Sequence, residues 1–161
     1  MLEKITAANA TVFDRLVQDY EEEFSPITKK EKGADGKYAL DADWRPPNEG
    51  FYWKEEDKIL GFCIKGFEGE VADILEFYIL PLYRRRGQGS RFACAVFATF
   101  SGTWQVRQIE GADEARAFWR SVIDRYTSGN FVEKERLDPY WGPVTYQRFC
   151  APPESQDKPP F

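Results

Sequence analysis

Three strand-like runs joined by very short links constrain the fold of this chain more than any other feature. They cover residues 51–54, 59–67 and 71–80, and the links read EED and EGE. Links this short join antiparallel neighbours, because a parallel connection needs a crossover of about a dozen residues. Pro81 ends the third run, since proline donates no ladder hydrogen bond. The sequence therefore predicts an antiparallel meander in the middle of the chain.

Helices and further strands surround this meander. Apolar residues recur at helical spacing over 13–24, 92–100 and 115–126, which predicts three amphipathic helices. Additional strand-like runs lie at residues 2–5, 104–109, 131–137 and 144–149. The pattern is that of an α/β (α+β) domain over residues 1–150, followed by a Pro-rich tail at 151–161 that we expect to be mobile.

Polar and breaker residues set the expected ends of these elements. Thr6 offers an N-cap hydroxyl to the first helix, and Pro26 is the expected end of that helix. Gly102 is the expected cap after the second helix. The stretch 25–50 is polar and turn-rich, which predicts a long loop with a short helix near residues 38–43.

The 161-residue chain contains no histidine. This excludes Ser-His and Cys-His nucleophile pairs and removes the commonest ligand of catalytic zinc, so we expect no metal. Cys63, Cys94 and Cys150 cannot all pair within one chain and match no zinc spacing, which favours a reducing compartment.

The net charge of −5 and the lack of a broad basic face argue against a nucleic-acid partner. The N-terminus lacks the features of a signal peptide, and no run approaches the roughly 20 apolar residues of a membrane span. We therefore expect a cytoplasmic protein with no membrane partner.

A glycine- and arginine-rich loop separates the third strand-like run from the second helix. Its residues are Arg84, Arg85, Arg86, Gly87, Gln88, Gly89 and Ser90. A helix N-terminus presents unpaired N–H groups and the positive end of the helix dipole. Gly87 and Gly89 permit close backbone approach to a phosphate, and the arginines add forked hydrogen bonds. The loop predicts a phosphate site, and it matches neither a P-loop nor GxGxxG.

The spacing Arg84-x-x-Gly87-x-Gly89 resembles the acetyl-CoA signature (Gln or Arg)-x-x-Gly-x-(Gly or Ala) of the GNAT superfamily of N-acetyltransferases. The order of elements is similar to the whole GNAT topology, and residues 76–79, 104–107 and 118–123 resemble a bacterial subgroup called predicted acetyltransferases.

The resemblance implies one GNAT domain with a mostly antiparallel sheet of six to seven strands and about four flanking helices. It also implies acetyl-CoA as co-substrate and direct attack by a primary amine of a small molecule or peptide in a ternary complex. The family often forms homodimers.

The same resemblance implies which residues bind the coenzyme. The strand before the signature splays from its neighbour in this family, which would expose the backbone N–H groups of Phe77, Tyr78 and Ile79. The loop of residues 84–90 would hold the pyrophosphate. Phe118 and Trp119 are expected as core and pocket wall.

Glu76 is the leading candidate for the general base. It interrupts an apolar strand, where a carboxylate is costly unless it is paired, hydrated or used, and partial burial would raise its pKa. Asp73 is the alternative, and strand alternation predicts that it points to the opposite face. A structural pairing of Glu76 with a cation such as Arg107 also stays open.

The general acid is less defined. The Asn and Tyr that many relatives carry on the third helix correspond to Ala112 and Trp119 here. Tyr126 and Tyr78 are the remaining candidates, and water is sufficient for a thiolate whose acid has a pKa of about 8.5. These departures keep a catalytically silent acyl-CoA sensor or partner-binding module open as a second function.

The acceptor side is expected on the first helix, the loop after it and the closing strands. This region is acidic, which would favour a cationic amine, although such a run is also typical of a solvated face. The acidic residues are Glu21, Glu22, Glu23, Asp41, Asp43 and Glu49.

Overall fold

The computed structural model describes residues 1–151. One sheet contains seven strands: β1 (Leu2–Lys4), β2 (Glu49–Glu55), β3 (Lys58–Glu68), β4 (Val71–Ile79), β5 (Thr103–Ile109), β6 (Phe131–Asp138) and β7 (Gly142–Cys150). Three α-helices accompany it: α1 (Thr11–Thr28), α2 (Gln88–Phe97) and α3 (Asp113–Thr127). A single 3₁₀ turn follows β4 at Pro81–Tyr83.

The strand order is β1-β2-β3-β4-β5-β7-β6, and β4 with β5 is the parallel pair among otherwise antiparallel neighbours. This confirms the predicted mixed sheet and meander. Ala151 is buried, and its N–H donates to the Gly102 carbonyl. The rest of the expected tail, residues 152–161, lies outside the described residues.

Several predicted helix ends are wrong. The first helix begins at Thr11 rather than after Thr6, because the side chain of Asn9 accepts the Thr6 N–H and closes a turn there. Pro26 lies inside the last turn of α1. The carbonyl of Glu22, which loses the N–H that proline lacks, accepts from the hydroxyl of Ser25 instead.

Two further predictions about helices are also wrong. The second helix ends at Phe97, well before Gly102. Residues 38–43 form no helix, so three α-helices rather than about four flank the sheet in residues 1–151. The backbone there is held by α1 instead, since the Gln18 side chain both donates to the Tyr38 carbonyl and accepts its N–H. None of the helices in residues 1–151 combines the length and apolar composition that a membrane span requires.

Two hydrophobic cores cover the two faces of the sheet. Helix α1 packs on one face, where its Phe13 and Leu16 meet Phe62 and Ile64 of β3. Helices α2 and α3 pack on the other face, where Phe97 of α2 contacts Trp104 of β5. Buried polar residues, among them Glu76, Gln105 and Gln147, interrupt these cores.

A β-bulge in β4 changes which residues share a face. Glu76 lies opposite Ile64 and Ile74 lies opposite Lys65, so Leu75 is an extra residue in β4. Leu75 packs over Gly66, where any side chain would come within 2.6 Å of its Cδ1 atom. Because of this extra residue, the faces to which the odd- and even-numbered side chains of β4 point are exchanged after Leu75.

The prediction that Asp73 and Glu76 point to opposite faces is therefore wrong. Asp73 lies opposite Gly66 and Glu76 lies opposite Ile64, and these two β3 residues share a face. Both carboxyl groups point to the side of the sheet that α1 covers.

The parallel pair of strands opens just after this bulge. The β4–β5 ladder runs from Ala72 to Ile74 and ends there. Within residues 1–151, the backbone of residues 75–79 on the side facing β5 has no strand partner. The sheet therefore contains a wedge-shaped opening between the end of β4 and the end of β5.

Candidate active site

A cavity of about 400 Å³ lies at this opening, between the end of β4, the loop 84–90 and the start of α3. We call it the loop cavity. Most of the residues predicted to bind the coenzyme line it: Phe77, Tyr78, Ile79, Arg84, Arg85, Gly87, Gly89, Ser90, Phe118 and Trp119. Arg86 and Gln88 are the two predicted residues that do not.

The loop turns directly into helix α2. Gly87 has a φ of 74° and is the N-cap residue, so the left-handed backbone that glycine favours starts the helix. Gly89 is needed for a different reason, because a Cβ atom there would lie 3.1 Å from the ring of Phe118. The first-turn N–H groups of α2 have no partner within the helix, and Gly89 and Ser90 of this turn line the loop cavity. This arrangement is a candidate site for an anion.

The three loop arginines have different surroundings. Arg85 and Arg86 are exposed, and the described structure gives them neither a hydrogen bond nor an ion pair. Arg84 is engaged by all its nitrogens: Nε donates to the Ile79 carbonyl at 2.7 Å, and the two terminal nitrogens donate to Glu23 at 2.6 and 2.8 Å. The free positive charge of the loop therefore belongs to Arg85 and Arg86.

The side chain of Gln88 turns away from the loop cavity. It is buried, and its Oε1 accepts from the indole of Trp53 at 2.8 Å while its Nε2 donates to Glu55 at 3.3 Å. Gln88 thus fastens the start of α2 to β2.

A second cavity of about 330 Å³ lies on the α1 side, and we call it the acidic cavity. It shares four wall residues with the loop cavity: Phe24, Phe77, Ala115 and Trp119. Its polar lining includes the carboxyl groups of Glu21, Asp41, Glu76 and Asp138. The two cavities thus meet at the side chain of Phe77, one residue after Glu76.

Glu76 is 7% exposed and lines the acidic cavity. Its Oε2 accepts a short hydrogen bond from the hydroxyl of Tyr20 on α1. Burial raises the pKa of Glu76 to about 8, although the Tyr20 hydrogen bond acts in the opposite direction. The suggested pairing with Arg107 does not occur, and Glu76 has no ion pair among residues 1–151.

Asp73 occupies a different environment, although it shares the face. It is 1% exposed, forms an ion pair with Arg107 at 2.6 Å and accepts from Gln105 at 3.1 Å. Burial raises its pKa, and the Arg107 charge opposes that rise. Asp73 lines neither cavity, whereas Arg107 lines the acidic one. The geometry thus makes Asp73 the partner that holds Arg107.

The acidic cavity contains a compact group of charges on its α1 side. Carboxylate oxygens of Glu21, Asp41 and Glu76 all lie within 4.8 Å of one another. Lys30 bridges two of them, at 2.8 Å from Glu21 and 2.7 Å from Asp41, and also donates to the Ala39 carbonyl. Burial raises the pKa of Glu21, and Lys30 opposes this rise. One cation thus faces several carboxyl groups.

The tyrosines proposed as general acids are separated by the fold. Tyr126 packs against Phe97 and Phe149 in the core and lines neither cavity. Tyr78 lines the loop cavity, but burial raises its pKa to about 12, with the Glu23 charge as the next cause. Cys63 is buried, which raises its thiol pKa and leaves it unreactive.

Sequence reasoning missed the partner of Glu76. Tyr20 belongs to the apolar stripe of the first helix, so the pattern assigned it to packing, and its hydroxyl gave no separate signal. Asp138 and Trp141 lie between the last two predicted strands, where the sequence analysis assigned no function, yet both line the acidic cavity. A buried tyrosine usually has a hydrogen-bond partner, which is the one clue that the sequence offers.

Comparisons with known proteins agree with this geometry. The family model described as the acetyltransferase (GNAT) family matches residues 13–120. No curated protein sequence matches the chain significantly.

Solved structures share the fold at low sequence identity. A chimeric spermidine N-acetyltransferase from Vibrio cholerae is 9% identical, with a TM-score of 0.62 over 94% of this chain and 95% of that one. The ribosomal-protein-S18-alanine N-acetyltransferase from Escherichia coli is 12% identical, with a TM-score of 0.60 over 98% and 97% of the two chains. A GNAT-family acetyltransferase from Elizabethkingia anophelis, solved with acetyl-CoA bound, is 10% identical, with a TM-score of 0.58 over 93% and 97%.

These structural likenesses establish the fold, and the family model extends over most of the chain, including the signature loop and the split strands. The chain therefore belongs to the acetyltransferase (GNAT) family.

Proposed function

We propose that this protein transfers an acetyl group from acetyl-CoA to a primary amine by direct attack within a ternary complex. The observation that carries the proposal is the meeting of the two cavities at Phe77. An anion-binding loop lies at the far end of one cavity, and a buried carboxyl group with a pKa of about 8 lines the other.

The loop cavity fits the coenzyme. The first-turn N–H groups of α2 and the exposed side chains of Arg85 and Arg86 would hold the pyrophosphate. The unpaired edge of residues 77–79 would hold the pantetheine by backbone hydrogen bonds and stabilise negative charge on the carbonyl oxygen. Acetyl-CoA supplies the activated acetyl group as a thioester.

Glu76 is the proposed general base. An alkyl ammonium must lose a proton before its nitrogen can attack, and a carboxylate with a pKa near 8 accepts that proton more readily than an ordinary glutamate. Tyr20 holds one carboxylate oxygen, which leaves the other for the ammonium. We expect no residue to act as general acid, because a thiolate whose acid has a pKa of about 8.5 can leave unprotonated and takes up a proton from solvent afterwards.

The acceptor is proposed to be a small cationic amine. The acidic cavity carries more carboxyl groups than cations, and aromatic rings of Tyr20, Phe24 and Trp141 complete its lining. Its volume of about 330 Å³ is at the lower end of the range for small-molecule sites, which favours a small amine over a folded protein.

Turnover with a panel of amines tests this function. Purified protein, acetyl-CoA and amines of increasing size and charge are combined, and free thiol release is followed. We expect release with small primary amines and none with their N,N-dimethyl analogues, which leave no proton to lose after acylation.

A catalytically silent acyl-CoA sensor is the second candidate. Ala112 favours it, because this residue lines the acidic cavity where many relatives carry an asparagine amide. If calorimetry shows that acetyl-CoA binds, but no amine causes release of the free thiol from it, the sensor function is established and the enzyme function is rejected.

A further inference from the structure

The side chain of Arg84 is held by three hydrogen bonds although it begins the signature loop. Its Nε donates to the Ile79 carbonyl, and its two terminal nitrogens form a forked pair with both oxygens of Glu23. Turning this guanidinium toward a phosphate would break charge-assisted hydrogen bonds, whereas Arg85 and Arg86 make none that would be lost. The geometry thus separates Arg84 from its neighbours.

Glu23 connects this arginine to the helix that holds the base. Tyr20 and Glu23 are three residues apart in α1 and therefore lie on the same side of the helix. Tyr20 donates to Glu76, and Glu23 accepts from Arg84. The same helical turn thus contacts the base at one point and the loop at another.

The ring of Tyr78 lies between these two contacts. Its centroid is 5.7 Å from that of Tyr20, and the guanidinium of Arg84 lies over the ring at 5.4 Å from the same centroid. Phe24, next to Glu23, is a wall of both cavities. A continuous set of contacts therefore runs from the loop to the base.

We propose that the Glu23–Arg84 pair is a clasp that positions Tyr20 and Phe24 of α1 against β4, and through Tyr20 orients the base Glu76. Glu23 and Arg84 are positioning residues for the acetyl transfer, and Arg84 is not a ligand of the coenzyme phosphates. The inference rests on the proposed function. Both side chains are 37% exposed, and ion pairs this exposed contribute little to stability, so the fold does not depend on the clasp.

The test compares Glu23→Gln with Glu22→Gln in the full chain. Glu22 is the adjacent exposed residue, and its pair with Lys32 at 3.0 Å lies outside both cavities, which makes it the matched control. We expect Glu23→Gln to lower kcat for the amine about tenfold or more, because a slightly misplaced base is costly. Acetyl-CoA affinity should stay within about threefold, and Glu22→Gln should change neither quantity.

The pH profile separates positioning from general damage. Tyr20→Phe removes the hydrogen bond that lowers the Glu76 pKa, so the midpoint of the rate profile should rise. Glu23→Gln should shift the midpoint in the same direction, and the double variant should resemble Tyr20→Phe alone because both act on one contact. An unchanged kcat and pH midpoint in Glu23→Gln would overturn the clasp.

Coenzyme binding tests the assignment of Arg84 independently. Arg85→Gln should weaken acetyl-CoA binding in calorimetry, whereas Arg84→Gln should not. An equal loss of affinity in both variants would make Arg84 a phosphate ligand and reject the inference. If no amine is acetylated, the proposed function fails, but the clasp can still be tested by ¹³C NMR titration of the Glu76 carboxyl group. Glu23→Gln should shift the titration midpoint of Glu76, and Glu22→Gln should not.

Discussion

In the first half of β4, the strand is paired on both sides and its buried Asp73 has a cationic partner, Arg107. In the second half, one edge is open, and Glu76 has a tyrosine hydroxyl but no ion pair in residues 1–151. The bulged residue Leu75 separates these two environments. A buried carboxyl group therefore serves structure where the sheet is closed and is available for chemistry where it is open.

The largest expected difference between the two halves is catalytic. Glu76→Gln should lower kcat/KM for the acceptor by about 10²–10⁴-fold, since that is the usual contribution of a general base. Acetyl-CoA affinity should stay near the wild-type value, because the loop cavity is unchanged. Steady-state kinetics and calorimetry measure both, with the exposed Glu70→Gln as control. Wild-type rates in Glu76→Gln would remove this residue as the base.

The loop cavity, which lies at the open half of β4, also depends on Gly89. A valine there would collide with the ring of Phe118, because even a Cβ atom lies only 3.1 Å from it. We expect Gly89→Val to weaken acetyl-CoA binding by about 10²-fold, the cost of displacing a preformed wall. Titration calorimetry gives the Kd, and Gly33→Ala, at an exposed glycine whose φ is not left-handed, controls for glycine replacement. Unchanged affinity would contradict the loop assignment.

A substitution in the first half of β4, which is paired on both sides, should change the stability of the fold. Asp73→Asn leaves Arg107 without its partner and places an amide where Gln105 donates, so we expect a loss of about 2 kcal/mol in the free energy of unfolding. Glu76→Gln should cost less or stabilise, because it removes a buried ionisable group. Urea unfolding at pH 7 measures both. Equal losses in the two variants would contradict the contrast between the two halves.

A further expected effect is the pH dependence of stability. Between its ordinary pKa of 4.5 and its folded pKa of about 8, Glu76 holds a proton in the folded state that the unfolded chain releases. Its stabilising contribution is complete below pH 4.5 and is lost as the pH rises toward 8, by at most about 1.4 kcal/mol per pH unit. Urea midpoints from pH 5 to 8 should fall in wild type and flatten in Glu76→Gln. Because Glu76 must lose this proton before it can act as a base, the rate of acetyl transfer should rise as the pH passes through 8.

Much of the fold could be predicted from local pattern. The meander, the later strands and the three main helices each appear as a periodicity or a short link, which are properties of neighbouring residues. The wrong predictions share a cause, since Thr6, Pro26 and Gly102 have the capping or breaking preferences that were used. Packing of α1 and the side chains of Asn9 and Ser25 outweighed the preferences of Thr6 and Pro26.

The candidate site was predicted in its residues but not in its contacts. The loop 84–90 and Glu76 carry chemical signals in the sequence itself, and the fold places most of them around joined cavities. The bulge at Leu75 carries no such signal, because alternation holds only while the ladder register is unbroken. It alone decided that Asp73 and Glu76 share a face.

By itself, the sequence determined the type of sheet, the place of the anion site and the identity of a costly carboxyl group in β4, because these follow from local spacing and residue chemistry. Only the tertiary structure decided that Tyr20 holds Glu76, that Arg107 pairs with Asp73 and that Arg84 belongs to Glu23. Each of these pairs joins residues far apart in the chain. Their choice depends on strand register and on how α1 crosses the sheet, which no local pattern encodes.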